Sequence, residues 1–383
     1  MVNMEMTHGI AIAINDFLDN CCELKPNDRV TIVAAVDGLH GGDNLVDETT
    51  IVWLQNAVQL RGAYPTVVWF DHPQVRNHWS LPPLFMEALK NCDVFINTTF
   101  DFTTEEFKQI HNTAKEFNVR YIRLFATTKE LWNTPWAQTP HELVSEIRYQ
   151  AAIPFGNGGM DFELTDPNGT HITGVILPSK HPNFPTYTRW RNESPGYRPF
   201  PEWVFPPVNI GNAQGVLVFD CTLSWWSRYL GISPNFSTPV RVEVKDGKMI
   251  SITGGEEAEK ISEYLSFLST KFGEKAYNFD EVHSGVHPCP VVPPQCCNNP
   301  LIQRIVDHSS PCNIHFHIGA PWPNPEYPYW PHITGDVQNA TWRVGDQYVH
   351  VNGHLMALDN EKVLEIAKKY PNRPGTSFIP KSF

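Results

Sequence analysis

Between residues 29 and 125 the chain alternates short apolar runs with amphipathic ones, and that alternation leaves few folds open. RVTIVAAV (29–36), PTVVWF (65–70), DVFINT (93–98) and VRYIRLF (119–125) are continuous apolar runs of the kind buried on both faces. Between them, residues 47–61, 84–91 and 104–117 carry helical apolar spacing. An earlier helical pattern covers 10–24 and ends at a Pro26-Asn27-Asp28 turn. Strand and helix exchanged at such short spacing predict a parallel sheet wrapped by helices. The glycine-rich loop Gly38 to Asp43 after the first strand lacks the spacing of a phosphate cradle and is read as an ordinary turn.

From Pro135 the pattern changes. A connecting helix is expected over 140–151, after which period-two strands and turn residues take over. Asp166-Pro167-Asn168-Gly169 predicts a hairpin within 160–176, and Asp246-Gly247 a second within 240–255. A strand is expected over 215–222, an amphipathic helix over Glu256–Phe272 and closing strands over 342–356. The expected fold is therefore an α/β N-terminal domain with a parallel sheet (1–135), followed by an α+β C-terminal domain rich in antiparallel strands (136–383). The second domain is expected to bind metal and carry the catalysis.

Composition narrows the functional classes. A net charge of −12 without a basic stripe argues against nucleic acid and anionic membranes. The N-terminal stretch is acidic and has no basic n-region or cleavage site, no apolar run reaches membrane-spanning length, and the eight cysteines form no CxxC pair. A reduced, cytoplasmic protein is expected.

Histidine is where the chain becomes chemically specific. EVHSGVHPCP, PCNIHFHIGAP and YPYWPHITGD, with His308 just before the second, bring His283, His287, His308, His315, His317 and His332 close in sequence, flanked by Glu281 and Asp336. In an extended strand residues two apart share a face, so Glu281 with His283, and His315 with His317, would project together. Imidazole with carboxylate is the usual ligand set for a divalent first-row metal. Against this stands the plain reading of a His-rich chain whose imidazoles are mostly solvated.

These segments, with FELTDPNGTHITG, FPEWVFPP followed by GVLVFD, and PVRVEVKDGKMISITGG, resemble the thermophilic metallo-aminopeptidase family (aminopeptidase T and S) and its relative 2,5-dihydroxypyridine 5,6-dioxygenase. The likeness runs through nearly the whole chain and implies a metallo-aminopeptidase-like fold and a homodimer. It also implies metal ligands Glu202, Glu281, His317 and His332, with Tyr327 near the family's metal-site tyrosine. Thr334 stands where the family's His-x-Asp pair has its aspartate, and the nearest carboxylate is Asp336. A carboxylate bridging two metals is thereby put in doubt, and His283 has no counterpart.

The expected activity is hydrolytic opening of a small hydroxylated cyclic ketone, on the pattern of dihydrophloroglucinol cyclohydrolase. One divalent ion would serve it, Mn or Fe before Zn, with His283, His287, Tyr327 and Asp336 as candidate catalytic residues. A ring-cleaving Fe(II) dioxygenase is the second reading, since two His and one carboxylate suffice for it. A metallo-aminopeptidase is the third, and a His-rich metal-binding or scaffold protein is the non-enzymatic one. Trp225, Trp226, Trp322, Trp330 and Trp342 are candidates to wall a planar substrate or to pack a core, and Arg189 and Arg191 to bind an anionic product or pair in solvent. Cys289, Cys296, Cys297 and Cys312 leave a structural zinc open.

Overall fold

The computed structural model describes residues 6–35, 46–70, 83–98, 104–179, 197–201, 204, 208–222, 231–297, 300–319 and 332–377. The first layer is a five-stranded, wholly parallel sheet. It contains β1 (Arg29–Ala35), β2 (Tyr64–Phe70), β3 (Val94–Asn97), β4 (Arg120–Leu124) and β7 (Tyr197–Phe200), in the order β2-β1-β3-β4-β7. Helices α1 (His8–Asp16), α2 (Glu48–Leu60), α3 (Pro83–Lys90) and α4 (Thr104–Glu116) accompany it. The predicted helix over 10–24 instead ends at Asp16 and continues as one wider turn, Phe17–Cys21. Thr7 and Asp47 cap α1 and α2 by accepting from the backbone N–H of Ile10 and Thr50.

The second layer is an eleven-stranded sheet. Both predicted hairpins are present: β5 (Asp161–Thr165) with β6 (His171–Ile176), and β9 (Asn235–Lys245) with β10 (Lys248–Thr253). The strand expected over 215–222 is the end of a much longer one, β8 (Val208–Cys221), which pairs in turn with β11 (Phe279–Ser284), β6 and β9. Beyond β11 come β12 (Asn313–Gly319) and β13 (His332–Gln338), and at the other edge β14 (Thr341–Val344), β15 (Gln347–Val351) and β16 (His354–Leu355). An isolated bridge between Thr222 and Gly335 returns the far end of β8 to β13, so these strands curl. Gly335 is required there: a Cβ would lie 2.3 Å from Cζ of Phe316 and 2.7 Å from Cδ2 of Phe219.

The division expected near residue 135 is crossed twice. Strand β7 comes from the second half yet extends the first sheet. It is held there by fully buried Arg198, which donates to the carbonyl of Cys21 at 3.1 Å and pairs with Glu23 at 3.2 Å. The helix Pro300–His308 was not expected from the sequence. Counting Lys129–Trp132 as α5, Pro135–Gln138 as α6, His141–Ala152 as α7 and Glu256–Phe272 as α8, it is α9, with α10 at Glu361–Lys369. Its Ile302, Ile305 and Val306 are buried in the core of the first layer, with Val30, Ile122 and Trp136. Among the described residues no helix is long and apolar enough to cross a membrane.

Candidate metal centre

Register decides what the histidines can do together. Across β8, β11, β12 and β13 the ladder aligns Asn209, Glu281, His317 and Thr334 in one row. Two residues further along the strands it aligns His283, His315 and Asp336 in a second. Alternating with these positions, Val282, Phe316, Ile314, Ile333 and Val337 turn to the opposite face and enter the main core of the second layer. The alternation inferred for Glu281-Val282-His283 and His315-Phe316-His317 is thus the observed one. A polar grid occupies one face and a hydrophobic core the other.

The first row keeps contact with solvent, the side chains of His317 and Glu281 being 13% and 26% exposed. Oε2 of Glu281 accepts from Nδ1 of His317 at 2.7 Å, and Oε1 accepts from Nδ2 of Asn209 at 3.2 Å. The carboxylate therefore fixes the imidazole's orientation and tautomer, with Nδ1 as the nitrogen that donates. Position 332 begins β13 opposite Gly319, two residues along β12 from His317.

The second row is dry. His283, His315 and Asp336 are buried, and α9 lies over them, presenting buried Arg304 and His308 one turn apart. Nη2 of Arg304 donates to Oδ2 of Asp336 at 2.5 Å, and its Nε donates to the carbonyl of Thr222 at 3.2 Å. Nδ1 of His308 lies 3.2 Å from Oδ1 of Asp336. The rings of His308 and His315 stack with centroids 3.2 Å apart, and His283 meets His315 edge-on at 4.9 Å and His317 at 5.1 Å. One nitrogen from each of His283, His308 and His315 lies within 4.8 Å of the other two. Burial foremost, then repulsion from His283 and Arg304 at His308 and from His308 at His315, holds both rings neutral, their pKa values well below the usual imidazole range. Arg304 keeps its charge: burial works against it, but Asp336 foremost raises its pKa overall.

The expected site residues therefore separate. Glu281 and His317 meet in the first row, while His283 and Asp336 belong to the second, where Asp336 is engaged by Arg304 and His308. His287 is not among the converging imidazoles; buried against Trp136, it accepts from the Cys289 N–H at 3.2 Å, and burial lowers its pKa to about 3. Glu202 and Tyr327 lie outside the described residues, as do Trp225, Trp226, Trp322, Trp330, Arg189 and Arg191, and His332 is described in its backbone alone. Trp342 packs in the core against Phe155, ring centroids 5.0 Å apart, and walls no site. All eight cysteines are free thiols, and among the described residues the histidine triad is the group whose donor atoms converge, so the cysteine zinc alternative gains nothing. Sequence reading did not single out Arg304, Asn209 or Thr222. The available signal was Arg304 and His308 four apart, interleaved with Ile302, Ile305 and Val306.

The sequence matches no protein-family model and no curated protein. Among solved structures it is similar to 2,5-dihydroxypyridine dioxygenase from Pseudomonas putida KT2440, with a TM-score of 0.65 at 14% identity over 94% of this chain and 100% of that one. It is also similar to wild-type AmpT from Thermus thermophilus, with a TM-score of 0.51 at 12% identity over 91% of this chain and 98% of that one. The chain shares their fold. The parallel sheet joined to an antiparallel one, expected from the sequence as metallo-aminopeptidase-like, is the architecture found.

Proposed function

We propose that this chain is a divalent-metal-dependent enzyme that opens the ring of a small oxygenated cyclic substrate at the solvent-facing end of the grid. The observation that carries this is the Glu281–His317 pair, an imidazole oriented by a carboxylate on a rigid strand and still reached by solvent. His317 with His332 and one carboxylate, Glu281 or Glu202, makes two imidazoles and one carboxyl, a donor set suited to ferrous iron with positions left for a chelating substrate and dioxygen. A bound ion would supply a Lewis-acid centre that polarises a substrate oxygen. Glu281 fixes the His317 tautomer, and Asn209 holds Glu281 in place.

Oxygen-dependent cleavage ranks first on the fold, and a two-ion peptidase last on the carboxylates. Asp336, the one spare carboxylate of β13, is turned to Arg304 and His308, and Thr334 stands across from His317, which leaves no carboxylate from that strand to bridge two ions. The fold is also that of a 2,5-dihydroxypyridine dioxygenase. Hydrolytic opening of a cyclic 1,3-diketone, favoured on sequence, is supported only by His283. Its ring, 5.1 Å from His317, is placed to hold a proton beside the first row. The scaffold reading predicts histidines on exposed loops, whereas His283, His287, His308 and His315 are buried.

The test is turnover of dihydroxypyridines and of cyclic 1,3-diketones with Fe(II), Mn(II) or Zn(II), with oxygen uptake followed. Oxygen consumed in step with ring loss is the expected result. Turnover undiminished in anaerobic buffer would replace it with the hydrolytic reading, and inactivity on both substrate classes with every ion would remove the ring-opening assignment.

A further inference from the structure

We infer that the buried imidazoles His283, His308 and His315 form a second cation site, separate from the first row and selective for a zinc-like transition ion, that ties α9 to the sheet. The three donors come from β11, α9 and β12, so no local turn accounts for their convergence within 4.8 Å. An ion about 2.1 Å from each nitrogen needs them about 3.4 Å apart, a closure within reach of side-chain torsions. Neither ring nitrogen of His315 has a hydrogen-bond partner among the described residues, although both are buried. An unsatisfied buried polar atom costs about 1–3 kcal/mol, and ligation removes that cost.

The surroundings are those of a metal ligand's outer shell. Asp336 takes Nδ1 of His308, leaving Nε2 as the donor, and Arg304 fixes Asp336 in turn. A donor set of nitrogen alone disfavours magnesium and calcium, which require oxygen, and suits zinc or cobalt. Since Ile302, Ile305 and Val306 of α9 belong to the first layer's core, the ion would brace one layer against the other.

Cobalt(II) provides the probe, bound to the full chain after chelator treatment and counted by mass spectrometry. Wild type should take up two equivalents, one of them giving the intense visible absorption of tetrahedral nitrogen-ligated cobalt. His308→Asn and His283→Asn should each lose one equivalent together with that absorption, and Glu281→Gln should retain it. Absorption that survives His308→Asn and vanishes in Glu281→Gln overturns the second site and leaves the first. Loss of the absorption through His308→Asn, with Glu281→Gln retaining it, supports the second site whether or not Glu281 is itself a ligand of the first. Wild type that binds no cobalt overturns both. Should the histidine variants fail to fold, X-ray absorption of Glu281→Gln loaded with a single equivalent of zinc decides: a shell of three imidazoles without a carboxylate supports the second site, and a shell containing a carboxylate overturns it.

Discussion

At the Glu281–His317 end of the sheet face the side chains keep part of their surface in water, whereas about 6.7 Å further along the same strands His283, His315 and Asp336 are sealed beneath α9. Both rows are built from imidazole and carboxylate on β11, β12 and β13. They differ in what covers them. Over the second row, α9 adds a guanidinium and a third imidazole and removes solvent, so a carboxylate that would otherwise be available for chemistry becomes a structural anion. Residue type thus sets the kind of chemistry available, and the covering element decides whether a group reacts or supports.

Four measurements would break or sharpen that contrast. The largest effect belongs to Arg304→Met, which leaves Asp336 buried without its cation and should cost about 3–5 kcal/mol of stability in urea unfolding. A loss below 1 kcal/mol would mean the second row is not the sealed ion pair described. Glu281→Gln should reverse the pattern, with unfolding nearly unchanged and ring-opening activity reduced by about 100-fold, the upper range for losing the partner that orients a metal-bound imidazole. Equal loss of stability in the two variants would erase the distinction between rows.

Acid comes third. His308 and His315 are held below the ordinary imidazole pKa, as are His141, His287 and His350, each at about 3. The unfolded chain therefore binds more protons than the folded one below about pH 6.5, and stability must fall as pH drops through that value, by up to about 1.4 kcal/mol per pH unit for each such ring. Above it these rings contribute no slope. Urea midpoints at pH 7.5, 6.5 and 5.5 on metal-free protein test the sign, and a midpoint that rises toward pH 5.5 would contradict it. The smallest effect is that of Thr222→Val. Its hydroxyl donates to the carbonyl of Thr334 where β8 returns to β13, and its loss should cost about 1 kcal/mol in the same unfolding assay.

Much of this was legible in the sequence, and the part that was not has a common cause. Apolar runs such as 29–36 and 93–98 marked the parallel strands, and Asp246-Gly247 and Asp166 to Gly169 marked the hairpins, because period and turn chemistry are local. Glu281 with His283, and His315 with His317, were correctly read as sharing a face. Their sorting into two rows was not readable, since residues two apart on one strand are divided by which neighbour each meets across the ladder, a non-local quantity. Helix α9 was missed for a related reason. It is short and follows the proline-rich stretch 288–300, which drew attention from its amphipathic spacing, while its importance lies in the two layers it touches. Strand β7 likewise has little hydrophobic pattern, and its place in the first sheet depends on Arg198 reaching Cys21 and Glu23.

That returning strand limits how the polypeptide can be divided. A fragment ending near residue 135 would keep β1 to β4 but lose the neighbour that covers the open side of β4, along with Phe200, Ile302, Ile305 and Val306 from its core. Such a piece would present bare backbone donors and acceptors beside an uncovered apolar surface, a template for self-association. The remainder would carry an orphaned arginine on β7 with nothing to receive it. The two layers are better regarded as one cooperative folding unit, made inseparable by a four-residue strand.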